Sequence, residues 1–300
     1  MKMETNAGPQ ERAAAKLQPT RIGPRLFEWG RRTYVMGIVN VTPDSFSGDG
    51  LLAAAAAAPE TAVEAAVIRA RLMVEEGADI LDVGGESTRP GHEPVPEDQE
   101  AARVLPVIAA IHAALPQVPV SVDTAKPVVA EAAIDAGASL INDVWGTSMD
   151  DAMARLAAAR GVPMVVMHNR AEPLYRDFAA ELIDDLRAAL DRAVAAGVPR
   201  RNLIVDPGFG FGKTPEHNLV VMRELAELRH LGAPVLLGTS RKSTLGRLLG
   251  GLPAEERLEA TLATTAIGIA AGVDIVRVHD VRANVRAALV ADAICRVEPR

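Results

Sequence analysis

From about residue 34 onward the chain repeats one pattern: a short β-branched apolar run, a polar loop, then a stretch rich in Ala, Leu, Glu and Arg. The apolar runs predict strands over Tyr34–Asn40, Ile80–Gly84, Val118–Asp123, Leu140–Asp143, Met164–His168, Leu203–Asp206, Val235–Gly238 and Ile275–Val278. The stretches between them predict helices near 61–76, 98–114, 126–136, 150–160, 178–196, 216–230, 255–271 and 281–294. Gly77, Gly137, Gly161, Gly197 and Gly272 stand where helix-ending glycines belong. Strands alternating with helices imply βαβ crossovers and a parallel sheet. About eight such units in about 270 residues is the count of a closed TIM-type (β/α)8 barrel. An open doubly wound sheet is the structural alternative, and the steady unit length without a midpoint break favours the barrel.

Composition fits this picture. A length of 300 residues suits one α/β barrel. With 49% hydrophobic and 3% aromatic residues, the core must be Ala, Val, Leu and Ile, as parallel strands under helices require. Residues 1–20 are polar and Ala-rich with no apolar h-region, so they read as a disordered leader before a single barrel domain over 21–300. A net charge of -7 argues against nucleic acid as a partner. No apolar run reaches transmembrane length, so no membrane association is expected. The single cysteine, Cys295, excludes a disulfide framework and points to a reducing, cytoplasmic location. The alanine run Ala53–Ala58 is given no function.

In such a barrel, chemistry sits at the C-terminal ends of the strands. Nearly every predicted strand ends in a polar residue: Asn40, Asp82 with Glu86, Asp123, Asn142 with Asp143, His168, Asp206, Ser240 with Lys242, and Arg277 with His279. Two of these have bland readings, Asp82 as a loop anchor and His168 as a satisfied core histidine. Asp123, Asn142 and Asp206 suit a flat heterocycle rich in N–H groups. Arg89, Lys242, Arg277 and His279 suit an anionic group such as phosphate. Arg277 and His279 are two apart and share a face, and the loops after strands seven and eight are the usual phosphate site of this fold. Together the two sets predict a heterocycle carrying phosphate.

The run Gly208-Phe209-Gly210-Phe211-Gly212-Lys213-Thr214 ends like a phosphate-binding P-loop but has Pro207 where the first glycine is needed. Its glycines let the backbone approach a planar ligand, with Phe211 available to stack. A flexible loop remains the alternative for Lys213. No Cys/His cluster or H-E-x-x-H motif suggests zinc, and there is no G-x-S-x-G nucleophile elbow.

Asn40-Val41-Thr42-Pro43-Asp44-Ser45-Phe46-Ser47 and Asp82-Val83-Gly84-Gly85-Glu86-Ser87-Thr88-Arg89-Pro90-Gly91 resemble the two signatures of the dihydropteroate synthase family. Ser121-Val122-Asp123-Thr124, Ile141-Asn142-Asp143, Asp206–Lys213, Ser240-Arg241-Lys242-Ser243 and Arg277-Val278-His279-Asp280 follow in family order and spacing, over about 32–294. The resemblance implies that Asn40 holds Mg²⁺ and that Asp123, Asn142, Asp206 and Lys242 hold a pterin. It implies diphosphate binding by Thr88, Arg89, Arg277 and His279, with Arg277 also stacking on the pterin. Phe46, Pro90 and Ser240 match positions around p-aminobenzoate, and residues 42–52 and 87–96 match mobile loops. Gly48-Asp49-Gly50 departs from the family's usual Asp-Gly-Gly, shifting the loop carboxylate by one position. The family also implies a homodimer built through late helices.

The activity so implied is displacement of pyrophosphate from a pterin CH₂ by the amine of p-aminobenzoate. Mg²⁺ at Asn40, with Arg89, Arg277 and His279, would take up the leaving group's charge, while Asp123 and Asp206 stabilise the carbon it leaves. Lys242 completes the catalytic set. Two rivals are a corrinoid-linked pterin methyltransferase on the same barrel and a non-catalytic pterin-binding paralogue. The first has no need of Thr88-Arg89-Pro90 or Arg277-Val278-His279, and for the second no motif position is lost.

Overall fold

The computed structural model describes residues 17–41, 59–86, 95–145 and 150–296. A two-stranded hairpin, β1 (Thr20–Ile22) and β2 (Arg25–Phe27), precedes the barrel. The barrel strands are β3 (Tyr34–Asn40), β4 (Ile80–Gly84), β5 (Val120–Asp123), β6 (Leu140–Asp143), β7 (Met164–Met167), β8 (Leu203–Asp206), β9 (Leu236–Leu237) and β10 (Ile275–Val278). The helices between and after them are α1 (Pro59–Glu75), α2 (Glu97–Ala114), α3 (Pro127–Asp135), α4 (Ala152–Arg160), α5 (Phe178–Ala195), α6 (Pro215–Leu228), α7 (Ser243–Leu248), α8 (Leu258–Ala270) and α9 (Val281–Cys295). The strands are all parallel in the order β8-β7-β6-β5-β4-β3-β10-β9. A parallel bridge between Val205 and Val235, with Val205 N donating to Pro234 O at 2.9 Å, joins β8 to β9 and closes the ring. The expected barrel is therefore the observed fold.

Strand pleating separates two cores. Outward residues such as Val35, Val39, Leu81, Val83, Ile141 and Val205 join Val104, Ile108, Leu182, Leu186 and Val221 of the helices in the larger one. Inward residues Met36, Ile80, Leu140, Val165, Ile204, Leu236 and Ile275 fill the barrel. The five expected helix-ending glycines all have φ between +67° and +118°, the left-handed backbone that closes a helix.

The barrel floor is where the sequence reading falls short. Thr20 is not leader: it opens β1, its side chain accepts from Trp29 Nε1 at 2.9 Å, and its hydroxyl donates to Arg201 O at 2.5 Å. Ile22, Phe27 and Trp29 join the inward residues from below, with Phe27 4.7 Å from the Tyr34 ring. Arg32 clasps Asp79 with both nitrogens, at 2.6 and 3.0 Å, and Asp79 also accepts from Val35 N. Smaller corrections follow the hydrogen bonds. β5 begins at Val120 rather than Val118, because Pro119 has no N–H to give the ladder. β9 is two residues long rather than Val235–Gly238, and β7 ends before His168. The short helix α7 is additional, and the stretch from 255 divides into a 3₁₀ turn at Ala254–Glu256 and α8.

Because Phe27 is fully buried beneath the barrel, Phe27→Ala should cost about 3–5 kcal/mol of stability. Denaturant unfolding measures this; a loss below about 1 kcal/mol would mean the hairpin only rests on the floor.

Candidate functional site

The polar ring arises by counting two residues up from the apolar filling. Ile80 leads to Asp82, Leu140 to Asn142, Val165 to Met167, Ile204 to Asp206, Leu236 to Gly238, and Ile275 to Arg277. Each pair points inward, so the upper member meets the open end of the barrel. An open cavity lies there, about 310 Å³ counting the open solvent at its mouth, lined by Asp123, Asn142, Val144, Met167, Asp206, Phe209, Phe211, Gly238, Lys242 and Arg277. The structure thus brings Asp123, Asn142, Asp206, Phe211, Lys242 and Arg277 together around one cavity, as the sequence suggested. Val144, Met167, Phe209 and Gly238 were not foreseen there; the first three give it apolar walls.

Charge in the cavity is tightly arranged. Arg277 donates from Nε to Asp82 Oδ2 and from Nη2 to Asp123 Oδ2, both at 2.6 Å. Asn142 Nδ2 donates to the same Asp82 oxygen at 3.2 Å. Asp206 Oδ1 accepts from Gly208 N at 2.7 Å. Lys242 Nζ lies 3.8 Å from the Phe211 ring centre and donates to Phe209 O at 2.7 Å. Burial pushes the Asp123 carboxyl up to about 7; Arg277 opposes this and the nearby Asp82 charge adds to it. Burial also raises Asp206 and lowers Lys242 to about 7, the latter opposed by Asp206. For Arg277, burial acts to lower the pKa but Asp82 and Asp123 outweigh it, so its guanidinium stays charged. Asp123 Oδ1 is buried without a hydrogen-bond partner among the described residues.

His279 and Ser240 form a pair beside this cavity rather than in its lining. His279 follows the end of β10, its Nδ1 lies 3.0 Å from Ser240 Oγ, and its backbone N donates to the same oxygen at 3.2 Å. Between Ser240 and Lys242, Arg241 has φ +58°, the one non-glycine in the left-handed region among the described residues. It is held there by Asp280, which takes two of its nitrogens at 2.7 and 3.1 Å, and by Arg257, which donates to its carbonyl at 2.7 Å. Asn40 ends β3 at the same rim. Phe46, Thr88, Arg89 and Pro90, and loop residues 42–52 and 87–94, lie outside the described residues.

His168 takes its bland reading. Nε2 is 3.1 Å from Asp185 Oδ2 and Nδ1 is 2.7 Å from Lys213 Nζ, so Nε2 carries the proton and Nδ1 accepts. Burial, reinforced by Lys213, lowers its pKa to about 3 and keeps the ring neutral. Lys213 is no P-loop lysine. It also donates to Phe211 O at 3.0 Å, fastening the glycine run from beneath, while the Thr214 side chain caps α6. Gly208 has φ +66°, and a Cβ there would collide with His168 O, so this run lies backbone against backbone. A second cluster escaped the sequence reading: Lys126 Nζ bridges Glu86 and Glu100 at 2.5 Å each, and Glu86 Oε1 accepts from Val95 N at 3.2 Å. Its only signal was the Glu86 position itself.

Comparison with known proteins places the chain in a family. A family described as pterin binding enzyme matches residues 36–279. A dihydropteroate synthase of Clostridium beijerinckii is 50% identical over 277 residues, covering 92% of this chain and 99% of the relative. The solved structure of Xanthomonas albilineans dihydropteroate synthase with 4-aminobenzoic acid is 42% identical, with a TM-score of 0.86, covering 94% of this chain and 100% of that one. The same enzyme in complex with 7,8-dihydropteroate is 40% identical at a TM-score of 0.82, with coverage of 94% and 100%. The barrel, its ring of polar strand ends and these relatives lead to one assignment: the chain belongs to the dihydropteroate synthase family.

Proposed function

We propose that the mouth of the barrel carries out the family's reaction, with the pterin seated among Asp123, Asn142, Asp206 and Lys242. The reaction joins 6-hydroxymethyl-7,8-dihydropterin diphosphate to p-aminobenzoate, giving 7,8-dihydropteroate and pyrophosphate. The observation that carries the seat is the cavity-lining carboxylate of Asp123, whose buried Oδ1 has no partner among the described residues, a lack that a ring N–H would supply. Phe209, Phe211 and Met167 supply apolar surface for a flat ring.

Catalysis by direct displacement follows. The amine nitrogen forms a bond to the pterin CH₂ as the carbon–oxygen bond to diphosphate breaks, and the amine gives up a proton. No side-chain nucleophile is needed, and the described cavity lining offers no Ser or Cys. Asp123 and Asp206 stabilise the positive character of the carbon, while Arg277 and His279, with Thr88 and Arg89, receive the departing diphosphate. Ser240, Phe46 and Pro90 border the aminobenzoate.

Asn40 is the proposed Mg²⁺ ligand. Its half-buried side chain has no hydrogen-bond partner among the described residues, and a single amide oxygen suits an ion that takes its other ligands from phosphate and water. When bound, Mg²⁺ supplies charge to offset that of the leaving pyrophosphate. We also propose a homodimer through α8 and α9, where Ile267, Leu289, Val290 and Ile294 are 55–75% exposed. Among the described residues no helix is long and apolar enough to cross a membrane, and the cytoplasm is the proposed location.

Three outcomes are expected. The kcat/KM for pyrophosphate release should be bell-shaped about pH 7, because it reports the groups of the free enzyme. Activity falls below that pH as Asp123 gains a proton and above it as Lys242 loses one. Asp123→Asn should abolish the acidic limb; an unchanged profile would exclude Asp123 from the seat. Arg277→Ala and His279→Ala should each weaken the diphosphate substrate by about 1.5–3 kcal/mol more than hydroxymethyl-dihydropterin, and Asn40→Ala should remove the gain that Mg²⁺ gives. Calorimetry reads all three, and equal losses for both ligands would make these residues structural. Light scattering should give twice the chain mass, falling to the monomer in Leu289→Asp/Ile294→Asp; a wild-type monomer would refute the dimer.

A further inference from the structure

We propose that Asp82 is the positioning residue of this site: one buried carboxylate orients both Arg277 and Asn142, and so fixes which edge of each side chain meets the ligand. This rests on the pterin seat proposed above.

Asp82 is fully buried and is not part of the cavity lining, so it is not placed to hold the ligand itself. It stands in the middle of an arc of five strands, β6-β5-β4-β3-β10. From there its Oδ2 reaches Asn142 two strands to one side, at 3.2 Å, and Arg277 two strands to the other, at 2.6 Å. Both partners line the cavity. An ion pair chosen for stability alone has little reason to sit here, since an apolar pair of similar volume usually does as well. What the pair supplies instead is orientation.

The chemistry of the two contacts sets that orientation. Asp82 Oδ2 accepts from Arg277 Nε and from Asn142 Nδ2, so the Asn142 side chain turns its NH₂ toward Asp82. Its carbonyl oxygen is then the edge left for other contacts, and Asn142 acts toward a ligand as an acceptor. Arg277 is anchored through Nε, which fixes the guanidinium plane and leaves its two terminal nitrogens to work. One of them, Nη2, holds Asp123 Oδ2, leaving Asp123 Oδ1, which has no partner among the described residues, as the oxygen to meet a ligand N–H. Acceptors at 123 and 142 and a donor at 277 form a pattern selective for a ring edge rich in N–H groups. Asp82 holds two of the three directly, Asn142 and Arg277, and reaches the third, Asp123, through Arg277.

The test combines a variant with a spectroscopic reading of the unaltered enzyme. Asp82→Asn keeps the shape but removes the charge and places an amide against two donors. Calorimetry should show affinity for hydroxymethyl-dihydropterin reduced about tenfold or more, while the KM for p-aminobenzoate changes by less than roughly twofold. In wild-type enzyme with isotope-labelled arginine, the Arg277 Nε–H signal, identified by its loss in Arg277→Lys, should be protected from solvent exchange with and without pterin. A folded Asp82→Asn enzyme with wild-type pterin affinity would overturn the role of Asp82 and leave the seat intact. An Arg277 signal that exchanges freely in the ligand-free enzyme would overturn it equally, whether or not the variant folds. Wild-type enzyme that does not take up the pterin at all would instead overturn the seat on which the proposal stands.

Discussion

A closed parallel barrel leaves its strands one freedom at the centre: each can send only every second residue inward. That constraint organises the rest of this molecule. A strand that commits Ile80 or Ile204 to the filling has already chosen that Asp82 or Asp206 meets the open end. Closure by the Val205–Val235 bridge then converts separate strand tips into a ring facing a common space. The site is therefore assembled by the pleat, from residues distant in sequence, and the loops add to a ring that already exists.

The ring concentrates charge where charge is expensive. Asp123 and Asp206 are buried within reach of Arg277 and Lys242, and burial works against the charged form of Asp123, Asp206 and Lys242. Arg277 keeps its charge because two carboxylates hold it. Asp123 and Lys242 are both brought to about 7, so a small change in their surroundings moves a proton. Such a site suits the pterin diphosphate proposed for it. An apolar cavity of the same volume would have no comparable response.

Much of this was legible in the sequence because strand pattern and site pattern are the same pattern. The bounds of Tyr34–Asn40, Ile80–Gly84, Leu140–Asp143, Leu203–Asp206 and Ile275–Val278 coincide with the structure, and their polar ends are the ring. What was missed lacks periodicity. The hairpin strands are three residues each, too short to show alternation, and their meaning comes from the barrel floor above them. The six-residue α7 is likewise too short for a helical pattern. For Asp82, placed in the ring, the loop-anchor alternative stayed open because its partners, Asn142 and Arg277, are 60 and 195 positions away, and only three-dimensional closure joins them. His168 shows the reverse: a polar strand end that turned out to be internal carpentry, occupied by Asp185 and Lys213.

The plug beneath the barrel carries a kinetic consequence. With Ile22, Phe27 and Trp29 wedged under a solid filling, the described residues close the vessel from below. Among the described residues the way to the polar ring is the upper mouth, so a molecule seated at the ring leaves by the path on which it came.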